Sequence, residues 1–128
     1  SKAVLKTIKD SMKEIGVNYQ FKKWKGHPIY PYFVGSYQEV PNPLEDGMQE
    51  TSFILTGFAR SDGKADGILQ LEEAKETIKK HFNTGEVAIV DGSAVAIFYA
   101  NTFGDLPTGD AELEKIEINL IIKEWSVK

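Results

Sequence analysis

The chain has 128 residues, 41% of them hydrophobic and 27% charged, with a net charge of −4. That is one domain's worth of sequence, enough to bury most of its apolar surface in a single core. The acidic balance argues against a general binder of nucleic acid or anionic membrane, and the lack of cysteine excludes disulfides, thiolate metal sites and cysteine nucleophiles.

The elements are predicted in chain order. Val4, Leu5, Ile8, Met12 and Ile15 fall on one helical stripe, with Lys6, Lys9, Asp10, Lys13 and Glu14 opposite, and Gly16 is placed to end that helix. Val17 to Phe21 alternates as a short strand and runs into the basic cluster Lys22-Lys23-Trp24-Lys25. Pro28 and Pro31 make the next stretch rigid and extended, and Tyr32 to Tyr37 reads as a strand. Pro41, Pro43 and Asp46-Gly47 mark an irregular loop. Thr51 to Arg60 is apolar on both faces, which places it centrally in a sheet. A glycine-rich turn, Ser61 to Gly67, leads to a second amphipathic helix burying Leu71, Ala74, Ile78 and Phe82.

The remainder is β-rich. Val87 to Val90, an Asp91-Gly92 turn and Ala94 to Tyr99 form a hairpin, followed by a long acidic loop from Thr102 to Glu112. From Glu114 to Val127 the pattern alternates, with Ile116, Ile118, Leu120 and Ile122 on one face and Lys115, Glu117, Asn119 and Lys123 on the other. The order α-β-β-β-α-β-β-β is that of an α+β domain spanning residues 1–128. It implies a mixed, mainly antiparallel sheet with two amphipathic helices on one face. No apolar run approaches the ~20 residues that span a bilayer, and no signal-peptide pattern opens the chain. Residence on the cytosolic side, or in a particle assembled there, is expected.

One segment imitates a metal site. Asp62 to Glu73 carries acids at positions one, five and twelve of a calcium loop, and glycine at six. Position three is Lys64, however, and the preceding residues read as a strand where an EF-hand requires a helix. The preferred reading is a turn in which Asp66 caps the second helix, with Glu72 and Glu73 favourable near its dipole. A calcium-binding or other small interaction module built on Asp62, Asp66 and Glu73 is the alternative. His27 and His81 lack metal-ligand spacing, no serine sits in a nucleophile elbow, and no phosphate loop is present, so the chain does not read as an enzyme. The cluster Lys22 to Lys25 has the aromatic-and-lysine composition of a base-stacking surface, but in an acidic protein it reads first as a solvated strand edge.

The order of several motifs carries a resemblance. These are the helix ending at Gly16, Tyr30-Pro31-Tyr32-Phe33-Val34-Gly35, Glu50 to Arg60, Leu71 to Ile78, Asp91 to Tyr99, Leu106-Pro107-Thr108-Gly109, and Ile116 to Trp125. Together they resemble the tail terminator, or tail-to-head joining (tail completion), family of long-tailed phages and prophages of Gram-positive hosts. The resemblance covers nearly the whole chain. It implies a structural virion protein without catalytic residues or cofactors, which caps the finished tail tube as a hexameric ring. The implied partners are further copies of the chain, the tail tube protein and a neck or connector protein, with no membrane. Its expected place is the virion tail or neck, after assembly in the host cytoplasm. DNA would pass through the ring without specific binding. The acidic stretches 39–50 and 102–112, with Glu45, Asp46, Asp105, Asp110 and Glu112, are candidates to line that lumen or meet a partner. A ring closed head to tail also needs two different, complementary patches on each subunit.

Overall fold

The computed structural model describes residues 1–37, 48–83, 85–90 and 92–126. Its elements follow the expected order: α1 (Lys2–Glu14), β1 (Asn18–Phe21), β2 (Tyr32–Tyr37), β3 (Met48–Arg60), α2 (Gly67–Phe82), β4 (Glu86–Val90), β5 (Ser93–Phe103) and β6 (Leu113–Ser126). The six strands form one sheet in the order β1-β2-β3-β6-β5-β4. β1 runs parallel to β2, and every other pairing is antiparallel. The fold is α+β with a mixed sheet.

Local chemistry sets the ends of α1. The Ser1 hydroxyl accepts a hydrogen bond from the Val4 amide at 3.2 Å, which satisfies one of the orphan donors of the first turn. At the other end Val17 N–H donates to the Met12 carbonyl at 2.9 Å and Gly16 N–H to the Lys13 carbonyl at 3.2 Å. Gly16 sits at φ +74°, the left-handed conformation such a paired cap requires.

Alternation decides the two faces of the sheet. Phe33 of β2, Phe53, Leu55 and Ala59 of β3, Ile118, Leu120 and Ile122 of β6, and Val95 and Ile97 of β5 are buried on one face. Ala3, Val4, Ile8 and Met12 of α1 and Leu71, Ile78 and Phe82 of α2 pack into the same cluster. Ala74 and Ile116 are only partly buried at its margin. Two glycines permit the close fit of the central strands. A Cβ on Gly35 would lie 2.6 Å from Phe53 Cζ, and one on Gly57 would lie 2.7 Å from Phe33 Cζ. Each aromatic ring lies over the glycine of the neighbouring strand.

Some boundaries differ from expectation for physical reasons. β5 continues through the polar Asn101 and Thr102 to Phe103, past a register shift between Tyr99 and Asn101. The acidic loop is therefore shorter, 104–112. β3 is central as expected, but it alternates: its helix-facing residues are buried, while Ile54 and Phe58 on the other face are half-buried. Glu72 and Glu73 lie beyond the first turn of α2, which holds no acidic residue. The helix-dipole role expected for them therefore does not apply, because that field falls off within a turn.

Candidate functional site

The calcium-like segment is a turn held by its own backbone. Asp62 Oδ1 accepts from the amides of Lys64 and Ala65, both at 2.8 Å, and these bonds hold its carboxyl below the usual carboxylate range. Asp66 Oδ1 accepts from Leu69 N–H at 3.0 Å as the cap of α2. Glu73, on an exposed position of α2, does not join them, and among the described residues no three His, Asp or Glu side chains approach closely enough to hold a metal ion. Asp66→Ala should lower stability by about 1 kcal/mol through loss of the cap. Calcium should leave the melting temperature of the wild-type protein unchanged, because a ligand stabilises only what it binds; thermal melts with and without calcium check both.

The acidic loop is more ordered than its composition suggests. Thr108 Oγ1 donates to the Asp110 carbonyl at 2.8 Å, Ser61 N–H donates to the Glu112 carbonyl at 2.7 Å, and Leu106 N–H to the Lys115 carbonyl at 3.0 Å. Asp110 Oδ1 accepts from Glu112 N–H at 3.0 Å, while its Oδ2 lies 3.3 Å from Arg60 Nη2. The Glu112 amide, and then the Arg60 guanidinium, hold the Asp110 carboxyl below its usual range. Glu112 reaches Arg60 at 3.9 Å and remains largely exposed. Asp105 is exposed, at φ +54°. The loop brings Asp110 and Glu112 together at Arg60, with Asp110 largely committed to the structure, and carries Asp105 apart from them in its exposed first turn; Glu45 and Asp46 lie outside the described residues. Phe103, 53% exposed, stands at the foot of the same loop.

On the face of the sheet away from the helices, the rings of Trp24, Tyr32 and Phe58 form a ladder, with centroids 4.8 and 5.2 Å apart. Arg60 lies over Tyr30 at 5.8 Å and Lys115 over Phe58 at 5.8 Å, contacts that favour a cation against an aromatic face. Trp24 Nε1 donates to the His27 carbonyl at 3.0 Å. The indole is thereby anchored to its own turn. At the other side of this face the edge strand β4 presents Val87, 69% exposed, and Ile89, 76% exposed. Inward on this face Ile121 is partly exposed, while Phe98, its pairing partner, is half-buried with Lys123 Nζ 5.9 Å from its ring centroid.

Sequence reasoning missed a fourth feature. Between α1 and the β1–β2 edge lies a cleft of about 1020 Å³. Its lining carries Lys2, Lys6, Lys9 and Lys25 with one carboxylate, Asp10, and its apolar part includes Leu5, Tyr19, Phe21 and Tyr37. Lys6 pairs with Asp10 at 2.9 Å, whereas Lys2, Lys9 and Lys25 form no ion pair among the described residues. The Tyr19 hydroxyl is buried with no hydrogen-bond partner among the described residues, and burial pushes its pKa upward. Only the run of lysines in the first 25 residues signalled this site; the floor is assembled by the fold.

Tyr19 makes a pH prediction. Because the folded phenol ionises above its ordinary value of 10.0, the unfolded chain releases that proton first as pH rises. Its effect is absent below pH 10 and erodes stability above it. Tyr19→Phe should leave stability at neutral pH unchanged, or raise it by up to about 1 kcal/mol, since it removes an unsatisfied polar group. It should also flatten the alkaline decline, as read by urea unfolding across pH.

No protein-family model matches the chain, and a search of curated proteins finds no significant match.

Proposed function

We propose that this protein is a structural component of a phage tail, a tail terminator or head–tail joining subunit that works by associating with copies of itself and with its neighbours in the particle. The observation that carries this reading is the edge strand β4. Among the described residues it is hydrogen-bonded to β5 alone, and its sequence Glu-Val-Ala-Ile-Val holds neither lysine nor proline, two of the residues that guard a free edge from other chains. Val87 and Ile89 stand out from it into solvent, on the sheet face that also exposes Ile121. A free edge that carries two exposed aliphatic side chains supports an assembly role. The order of motifs that resembles the tail terminator family names the assembly: a ring at the end of the tail tube, whose second face meets the neck.

The test replaces the edge. Val87→Lys together with Ile89→Lys alters two exposed side chains, so the isolated protein should keep its stability within about 1 kcal/mol. A phage carrying that double substitution should fail to join tails to capsids. Normal tails on filled heads, with the variant protein present in the particles, would contradict the reading.

A further inference from the structure

Charge is unevenly distributed along this chain and across its fold. Residues 1–25 hold seven of the fifteen basic residues and two of the nineteen acidic ones, a net of +5, which leaves −9 on the remainder. The positive share is concentrated at the α1–β1 cleft, and part of the negative share at the 104–112 loop. Strand register sets the two features at opposite ends of the sheet. The cleft includes Tyr37, which pairs with Phe53 near the middle of β3, and Ser1, whose hydroxyl donates to Glu124, the partner of Gln49 near the end of β3 away from Arg60. The loop extends from the end where Arg60 pairs with Leu113.

We infer that the acidic 104–112 loop of one copy docks in the lysine-rimmed cleft of the next. The match has two chemical parts. Lys2, Lys9 and Lys25 form no ion pair among the described residues, with Asp10 the one carboxylate lining the cleft and paired there with Lys6, and Asp105 and Glu112 are exposed carboxylates on the 104–112 loop. The floor of Tyr19 and Phe21 is aromatic, and Phe103 is an exposed aromatic ring at the root of the loop. A contact between two unlike patches at opposite ends repeats head to tail, and it closes into a ring when the rotation per copy allows. This assigns Asp105 and Glu112 to the contact between subunits and not to the wall of a lumen. The inference deepens the self-assembly part of the proposed function and rests on it.

The test is charge exchange followed by sedimentation velocity. One variant carries Lys2→Glu, Lys9→Glu and Lys25→Glu; the other carries Asp105→Lys and Glu112→Lys. Wild-type protein should associate at low salt and dissociate as salt rises. Each variant alone should sediment as a monomer while melting near the wild-type temperature, and their equimolar mixture should associate again, because each unlike pair is then restored. Phe103→Ser, which leaves all charges in place, should weaken wild-type association about tenfold, the effect of losing one desolvated aromatic anchor. Association retained by both variants alone would overturn this interface while leaving self-assembly intact. A mixture that stays monomeric, or wild-type protein that never associates, would also overturn it; in the last case the edge-strand test still decides the tail role separately.

Discussion

Phe33→Ala should lower the unfolding free energy by about 3–5 kcal/mol, the range for removing a buried aromatic ring. Phe33 is 0% exposed at the centre of the helix-facing side of the sheet. Its ring fills the space above Gly57, where a Cβ would come within 2.7 Å of Cζ. The two positions should therefore be coupled. Gly57→Ala in the wild-type protein forces a buried ring to shift, a cost of about 1–3 kcal/mol. In the Phe33→Ala background the added methyl enters the vacated space, and most of that cost should vanish. A double-mutant cycle by urea unfolding should yield a coupling of about 1–3 kcal/mol. Additive effects would mean that the ring does not occupy the space over the glycine.

Ile8→Ala should cost about 2–5 kcal/mol, with Lys9→Ala as its contrast. Ile8 is 0% exposed on the narrow apolar stripe that fastens α1 to the sheet. Lys9, one residue on, is exposed at the rim of the cleft, and its removal should change stability by less than about 0.5 kcal/mol. Adjacent positions on one helix thus separate its two tasks, anchoring to the core and presenting charge. If Lys9→Ala destabilised the fold as much as Ile8→Ala, the lysine rim would belong to the packing of α1 and its availability to a partner would be lost. Chemical denaturation of the two variants, side by side, decides this.

Features set by local chemistry were legible in the sequence. The apolar stripe of α1, its end at Gly16, the Asp66 cap and the alternation of β6 each depend on residues within a few positions of one another. The α+β class followed from their order. The pairings were not legible in the same way. β6 inserts between β3 and β5, a choice made by matching apolar faces far apart in the chain. The parallel pairing of β1 with β2 requires the chain to reverse within residues 22–31, where Lys22 and Gly26 adopt positive φ. β5 ran past its expected end because Asn101 and Thr102 look like loop residues alone, yet Asn101 receives a side-chain hydrogen bond from Asn119 at 2.8 Å on β6. The cleft stayed hidden for the same reason. Its lysines are visible in the sequence, but Tyr19, Phe21 and Tyr37 become a floor only once β1 pairs with β2. Among the acidic candidates, composition did not distinguish Asp110, held by Arg60 and a backbone amide, from Asp105, which extends into solvent.

Electron microscopy of the purified protein mixed with tail tubes addresses the proposed role most directly. Rings seated on one end of the tubes are the expected outcome, with bare tubes in their absence. Tube ends that stay bare in an excess of folded protein, or density along the tube wall, would contradict it.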